Sequence, residues 1–559
     1  MKFDSGKYTG LIAEKIFDLT AERIIDRIWE KDFTVWGDKP DEISNRLGWL
    51  ESIKVTKDAL AEINEFVDSV RKDKLQNVLL MGMGGSSLAP EVFSKVFKTK
   101  KGFLKLYVLD STDPGAILEH THRLDPAKTL YIVSTKSGGT VETISFLKYF
   151  YNLALKKVGK GKISKHFAAI TDPGSGLEQM AKELNFRKIF LNDPNIGGRY
   201  SALSFFGMVP AALIGIDLVK ILDRADEMSE LSKLSGGDIS KNESALLGVM
   251  MGVLANEHKD KITFFISEKL SSLGAWIEQL IAESTGKNGK GILPVDLEPI
   301  QSPGQYSNDR LFVHFRLKGD LSLDTKIKSL KKSGHPVITI DLNNGYDIGR
   351  EFFRWEFATA VAGWAMNIQP FDQPNVEQAK IIARKMVNEY QSTGKLPELE
   401  SSVEFKGVKV FGDVQANNFK DVMKQFLSGS KSGINYFAIH AYFKPEKKVW
   451  EALQSLRKKI LKKYKVATTV GYGPRFLHST GQLHKGDSGN GLFIQILNYM
   501  PKDAPVPDEA GEEKSSITFG ILKTAQALGD RQALLDNHRK VLTIDVGKNV
   551  FESLSKLIV

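Results

Sequence analysis

The chain has 559 residues, of which 42% are hydrophobic and 26% charged; this composition is typical of a globular protein and excludes collagen-like, rod-like or wholly disordered chains. It contains no cysteine, which excludes disulfides, thiolate metal sites and cysteine nucleophiles. The net charge of +10 is spread along the chain, with a few short basic clusters. No zinc finger, RNA-recognition signature or basic arm is present in the sequence, so we expect no nucleic-acid partner. The sequence also lacks a secretory signal and an apolar run of about 18 residues, which predicts a cytoplasmic protein without a membrane span.

Residues 77–193 alternate apolar strands with amphipathic helices. The pattern predicts strands at 77–83, 104–110, 129–135, 166–172 and 188–192, with helices near 87–97, 114–124, 140–158 and 175–185. Alternation of this kind, with continuous apolar runs such as YIVS, is typical of a doubly wound parallel sheet covered on both faces. The fold class predicted for this block is therefore α/β.

The alternation recurs twice further along the chain. A second α/β block is predicted from strands at 262–267, 310–317 and 336–342 and from a helix at about 375–391. Residues 392–402 are predicted to be a linker because they are polar, contain Gly and Pro, and show no period. A third α/β block follows at 403–559, in which the Pro-rich, acidic stretch 500–514 is predicted to be an exposed loop. The predicted domains are 1–215, with N-terminal helices, then 216–391, then 403–559.

The first strand ends in the glycine-rich turn GMGGSS at 82–87, before a predicted helix. Such a turn lets backbone amides approach an anion at the helix N-terminus. A dinucleotide site is a rival interpretation, since Asp110 ends the next strand where a ribose-binding acid could lie. The third glycine of GxGxxG is replaced by Ser87, however, which weakens that rival. A tight turn without any ligand is a further alternative.

The third strand ends in STKSGGTVET at 134–143, where hydroxyls, two glycines and Lys136 meet the start of a helix. This grouping predicts a phosphate cradle of helix-start amides and hydroxyl donors. Its alternative is an ordinary N-cap with Glu142 as capping-box partner. Because the carboxyl ends of parallel strands share one edge of a sheet, both turns are expected to face one crevice.

Five segments together resemble glucose-6-phosphate isomerase, in that family's order and over about 300 residues: GMGGSSLAP, STKSGGTVET, NIGGRYSALSFFG (195–207), EQLIAESTGKNGKGILP (278–294) and FDQPNVEQAK (371–380). The resemblance implies two sugar-isomerase (SIS) domains with doubly wound parallel sheets, followed here by a C-terminal α/β block. That third block resembles the end of the isomerase half of bifunctional transaldolase/phosphoglucose isomerase proteins. The implied activity is reversible isomerisation of glucose 6-phosphate to fructose 6-phosphate, without a metal or nucleotide cofactor. The resemblance also allows a homodimer.

The same resemblance implies roles for individual residues. Glu283 matches the base, Arg199 the arginine beside the reacting carbons, and Gln373 and Lys380 the glutamine and lysine of the last signature. The phosphate would be held by residues of the two turns: Gly85, Ser86, Thr135, Lys136, Ser137 and Thr140.

The histidine departs from the family's order. Short bacterial members carry it in a stretch LHS-x-GQ between the glutamate and the lysine, whereas here that stretch lies at 477–482, about 100 residues past Lys380. We expect His478 to be delivered to the crevice by the third block, from the same chain or from a partner subunit. His484 is a second candidate in that loop, and His314 and His335 are expected to be core or surface residues.

Two other functions remain open on sequence grounds. A sugar-phosphate sensor would be expected to add a DNA-binding helix-turn-helix, which the sequence does not show. A glutamine-dependent glucosamine-6-phosphate synthase needs an N-terminal cysteine, which this chain lacks. Additional activity on mannose 6-phosphate is left open, because discrimination at C2 depends on details of the pocket.

Overall fold

A computed structural model describes residues 1–416 and 418–557, and the side chains of 556 and 557 are not described. The first part of the chain contains a short strand, four helices and then a five-stranded α/β unit: β1 Lys2–Asp4, α1 Thr9–Ala21, α2 Ile24–Trp29, α3 Ser52–Asp58, α4 Leu60–Lys72, β2 Asn77–Gly82, α5 Leu88–Val96, β3 Lys105–Leu109, α6 Pro114–Arg123, β4 Thr129–Ser134, α7 Val141–Val158, β5 Phe167–Thr171, α8 Gly176–Glu183, β6 Lys188–Leu191 and α9 Phe205–Leu213.

The first sheet is wholly parallel, in the order β3-β2-β4-β5-β6. Its central strand β4 is buried along its whole length, as expected for a strand with helices on both faces. The five strands predicted for 77–193 are confirmed to within two residues at each end.

The second part of the chain contains the next α/β unit: α10 Leu218–Ser232, α11 Glu243–Asn256, β7 Lys261–Ile266, α12 Leu273–Thr285, β8 Leu293–Val295, β9 Arg310–Leu317, α13 Asp324–Lys332, β10 Val337–Leu342, α14 Ile348–Ala365 and α15 Glu377–Thr393. Its sheet has the order β1-β10-β9-β7-β8 and is parallel except for β1. The N-terminal strand thus pairs with the second sheet, although residues 1–215 were predicted as one domain around the first; the domain boundaries remain a prediction.

The third part of the chain forms a separate sheet: β11 Val403–Phe405, β12 Val408–Phe411, α16 Phe419–Phe426, β13 Tyr436–Tyr442, α17 Lys447–Tyr464, β14 Ala467–Tyr472, α18 Gly481–Gly486, β15 Gly491–Leu497, β16 Pro505–Val506, β17 Ile517–Thr518, α19 Phe519–Asp536, β18 Lys540–Asp545 and α20 Val550–Leu557. The order of the main sheet is β11-β12-β18-β15-β13-β14, in which β18, β15, β13 and β14 are parallel and the β11–β12 and β12–β18 pairs are antiparallel. β16 and β17 form a separate antiparallel pair. The α/β class predicted from the sequence is therefore confirmed.

Three hydrophobic clusters join the three parts of the chain to one another. One core lies between the N-terminal helices, one face of the first sheet and the second sheet. A second cluster joins Ala282 and Val295 to Tyr436 and Phe493 of the third part. A third buries Ala504 and Val506 against the other face of the first sheet. The prediction of an exposed loop at 500–514 holds for 501–503 but is wrong for 504–507, where β16 packs beside α7.

No helix in the described ranges is both long enough and apolar enough to cross a membrane.

Candidate active site

The glycine-rich turn lies at the carboxyl end of β2, immediately beside the end of β4. Gly82 pairs with Ser134, so the two predicted turns meet at one sheet edge, as expected. Gly85 has a packing requirement of its own, because a Cβ atom there would lie 1.9 Å from the carbonyl oxygen of Gly198. The turn at 82–87 is therefore pressed against the segment that carries Arg199.

The hydroxyl-rich loop at 134–143 leads into α7, and its hydroxyls do not cap that helix. Thr140 occupies the N-cap position but makes no capping hydrogen bond; its hydroxyl lies 2.9 Å from that of Thr135. Lys136 forms an ion pair with Asp172 and donates a hydrogen bond of 2.7 Å to the Pro194 carbonyl. The helix start and these hydroxyls make a site suited to an anion, and the Lys136 ammonium lies beside it, already paired with Asp172.

The capping-box interpretation of Glu142 is wrong. Its Oε1 accepts one hydrogen bond from Gln526 at 2.7 Å and lies 2.9 Å from Nε2 of His478. Glu142 is only 5% exposed. Burial favours a raised pKa for this carboxyl, but the charge and hydrogen bond of His478 hold the pKa of Glu142 below its ordinary value.

Arg199 is buried and fully engaged. Its guanidinium donates to Ser284 Oγ (2.7 Å), Gln373 Oε1 (2.9 Å) and the carbonyls of Pro370 (2.7 Å) and Asp372 (3.0 Å). Its Nη1 also lies 3.3 Å from Oε1 of Glu283. A planar guanidinium held by this many acceptors is a fixed positive charge.

Glu283 lies near the end of α12 and faces the same space. It is 14% exposed and therefore is not a surface acid at the end of the helix. Gln279, one helical turn earlier, donates both to Glu283 Oε2 (3.1 Å) and to the backbone carbonyl of His478 (2.8 Å). Nearby, burial lowers the pKa of Lys287 to about 8; the charge of Arg199 adds to this, and Asp372, which accepts from Lys287 at 2.5 Å, opposes it.

His478 therefore reaches the crevice from the third part of the same chain. Its backbone carbonyl shares the Gln279 amide with Glu283, and a Cβ atom added to Gly84 would lie 3.1 Å from the His478 Cβ. The loop that holds His478 packs directly on the glycine-rich turn. His484 is fully buried beside His440, with a ring-nitrogen distance of 3.2 Å, and points into the third part rather than the crevice.

His314 and His335 lie elsewhere. His314 is buried in strand β9 of the second sheet, and the ring of His335 packs edge-on against Phe312. These placements agree with the expectation of core or surface histidines.

All eleven residues predicted for the site line a single cavity of about 610 Å³: Gly85, Ser86, Thr135, Lys136, Ser137, Thr140, Arg199, Glu283, Gln373, Lys380 and His478. Lys380 lies at its rim, is 44% exposed, and pairs with Glu377 at 2.7 Å. The sequence analysis did not single out Gln279, which also lines the cavity. Its spacing of four residues from Glu283 on one helix face was a usable signal.

The dinucleotide alternative does not fit the position of Asp110. Its Oδ2 lies 3.2 Å from both Ser87 Oγ and Nη1 of Arg475, and it lines a different cavity of about 760 Å³. An acid already bound by an arginine and a serine is not free for a ribose. Among the described residues, no group of three or more His, Asp or Glu side chains is arranged to hold a metal ion.

In sequence and in α/β architecture, the chain is similar to isomerases. The model of the phosphoglucose isomerase family matches residues 43–293. A protein of Methanococcus maripaludis named probable glucose-6-phosphate isomerase is 29% identical over 387 residues, which are 62% of this chain and 85% of that protein.

Two solved structures share the fold. A hypothetical protein of Thermus thermophilus has a TM-score of 0.58 at 25% identity, and the match covers 69% of this chain and 99% of that protein. A glucose-6-phosphate isomerase of Chlamydia trachomatis has a TM-score of 0.57 at 18% identity, and the match covers 69% of this chain and 87% of that protein.

Proposed function

We propose that this protein converts glucose 6-phosphate to fructose 6-phosphate reversibly, as a glucose-6-phosphate isomerase. The observation that carries the proposal is the position of Glu283, 3.3 Å from the Arg199 guanidinium, in one cavity with the hydroxyl-rich loop and His478. This cavity combines an anion site with a carboxylate, a fixed cation and an imidazole, which are the groups an aldose–ketose isomerisation needs.

Phosphate binding would position the sugar. Thr135, Ser137 and Thr140 line the cavity next to the start of α7, and their hydroxyls suit the three phosphate oxygens. Binding energy from this remote group orients the reacting carbons without taking part in the chemistry.

Ring opening would be the task of His478. A carboxylate can only accept, so Glu142 fixes the N–H of the imidazole at Nε2 and orients the ring. During ring opening the anomeric hydroxyl loses its proton to the imidazole, and the ring oxygen gains a proton from it. The bond that breaks is C1–O5 in glucose 6-phosphate and C2–O5 in fructose 6-phosphate. Lys380 at the rim is the second candidate for this exchange.

Glu283 would then transfer the proton between C2 and C1. Its carboxylate removes a proton from one carbon, leaving a cis-enediol(ate), and returns it to the adjacent carbon on the same face. Negative charge develops on oxygen during this step, and the Arg199 guanidinium, withdrawn from water, stabilises it.

Several broader assignments belong to the same proposal. We infer domains at 1–215, 216–391 and 403–559, with the third related to the isomerase half of bifunctional transaldolase/phosphoglucose isomerase proteins. A hexose phosphate as partner, a cytoplasmic location and assembly as a homodimer are compatible with this function.

A coupled assay tests the proposal: fructose 6-phosphate is supplied, and glucose 6-phosphate is detected by its oxidation with a dehydrogenase. Glu283→Gln keeps the size of the side chain and removes the titrating group. We expect turnover to fall by about 10²–10⁴ or more while substrate still binds. Near-normal turnover would show that another residue moves the proton.

Glu278→Gln is the matched control, since Glu278 lies on the same helix but lines the 760 Å³ cavity. Burial raises the pKa of Glu278 to about 8, so the side chain is mostly uncharged near neutral pH and Gln replaces it closely. If turnover is unchanged in Glu278→Gln and lost in Glu283→Gln, the loss is due to the carboxylate in the crevice and not to a change elsewhere on the helix.

A further inference from the structure

The loop that carries His478 has a second attachment, three residues before the histidine. Arg475 begins the 3-10 turn Arg475–His478 and forms ion pairs with Glu91 of α5 and with Asp110 at the end of β3, the latter at 3.2 Å. Both carboxylates belong to the first part of the chain, more than 360 residues earlier. The arginine therefore ties the third part to the first sheet.

The same contact reaches the glycine-rich turn. Asp110 Oδ2 accepts a hydrogen bond from Ser87 Oγ at 3.2 Å, and Ser87 closes the GMGGSS turn. At the other end of the 3-10 turn, the His478 carbonyl accepts from Gln279. The short turn is therefore fixed at both ends: by charge at Arg475 and by an amide at His478.

The ion pairs of Arg475 with Glu91 and Asp110 are largely withdrawn from solvent. Arg475 and Glu91 are each only 26% exposed, and Asp110 is 12% exposed. Burial opposes the charge on the guanidinium, but Asp110 and Glu91 outweigh it and raise the pKa of Arg475. An arginine in this position stays charged and bound to both acids. Removing it takes the ion pair from two largely buried carboxylates, of which Asp110 keeps its hydrogen bond from Ser87.

We propose that Arg475 is a positioning residue for the isomerisation: its ion pairs with Asp110 and Glu91 hold the 3-10 turn so that His478 meets the sugar ring. This inference rests on the proposed function. Arg475 is absent from the lining of the 610 Å³ cavity, so it acts through His478 and not on substrate.

The test compares Arg475→Ala with Lys444→Ala. Lys444 also links the third part to the first, through Glu119 of α6 at 3.1 Å, but it is remote in sequence from the His478 turn. For Arg475→Ala we expect kcat for fructose 6-phosphate to fall about 10- to 100-fold, because small misplacements of a reacting group are costly. KM should change less than kcat, since Arg475 forms its ion pairs outside the hydroxyl-rich loop at 134–143. Lys444→Ala should keep both constants.

Two readouts separate positioning from general damage. Free guanidinium ion added to Arg475→Ala should restore part of kcat, because the two carboxylates remain to bind it. Hydrogen exchange without substrate should speed up in 475–482 of Arg475→Ala and stay unchanged there in Lys444→Ala. The exchange measurement does not depend on activity. It therefore tests whether Arg475 holds the His478 turn even if the wild-type chain fails to convert fructose 6-phosphate.

Unchanged kcat and unchanged exchange in Arg475→Ala would overturn the proposal, and so would an equal loss in Lys444→Ala. If Arg475→Ala does not fold, Arg475→Lys decides. It keeps the charge but lacks the planar fork that spans two acids, so an intermediate loss of kcat supports the assignment and wild-type kcat refutes it.

Discussion

At the scale of single residues, the imidazole of His478 is one link in a hydrogen-bonded chain. Glu142 holds its Nε2, Gln526 donates to the same carboxylate oxygen, and Thr112 donates 2.8 Å to Gln526 Oε1. Glu142 and Thr112 come from the first part of the chain, and His478 and Gln526 come from the third. A buried carboxylate with two donors is well satisfied, so the ring has one preferred orientation.

His478→Ala should slow turnover of the cyclic sugar more than turnover of a sugar phosphate too short to close a ring, because ring opening is the step assigned to it. The measurement is kcat for both substrates in the variant and in wild type. His122→Ala, in the last turn of α6 and outside the residues that line the crevice, is the control and should leave both unchanged. Equal losses on the two substrates would contradict the assignment.

At the scale of secondary structure, the first turn of α7 and the loop before it contain the site that we propose for the phosphate. Thr140 precedes the helix with its side chain free of the usual capping bond, whereas Ser175 caps α8 at the same sheet edge by accepting from the Glu178 amide at 3.1 Å. The two helix starts are thus used differently: one hydroxyl stabilises its helix, and the other faces the cavity.

Changing Ser137 and Thr140 together to Ala should mainly raise KM for fructose 6-phosphate, because phosphate contacts persist in the ground and transition states. Ser175→Ala should instead cost about 1 kcal/mol of stability through its lost cap and leave KM unchanged. Steady-state kinetics and thermal melting of both variants check this. An unchanged KM in the double variant would place the phosphate elsewhere.

At the scale of the whole molecule, the crevice is built from three separate parts of one chain. The first sheet provides the two turns, α12 of the second part provides Glu283, and the third part provides His478. The resemblance left open whether the histidine comes from the same chain or from a partner subunit. The contacts of His478 with Glu142 and Gln279 all lie within one chain.

Mixing Glu283→Gln chains with His478→Ala chains, by co-expression or joint refolding, tests this directly. If each site draws both groups from its own chain, the mixture stays as inactive as either variant alone. If the histidine crosses between subunits, mixed assemblies contain one site with both groups and recover a large fraction of activity. Activity per wild-type chain should also stay constant on dilution.

The sequence by itself determined most of the strands and the turns at their ends, because these depend on local patterns. The expected roles of Arg199, Glu283, Gln373, Lys380 and His478 came instead from the resemblance to a known family. Apolar runs specify buried parallel strands, and turns at the carboxyl ends of such strands must share an edge. The sequence did not determine the role of Glu142 or the anchoring of Arg475. The short strands β1, β8, β11, β12, β16 and β17 were also missed. Glu142 and His478 lie 336 residues apart, and the partner of a buried charge is chosen by the packing of whole domains, which no local period encodes.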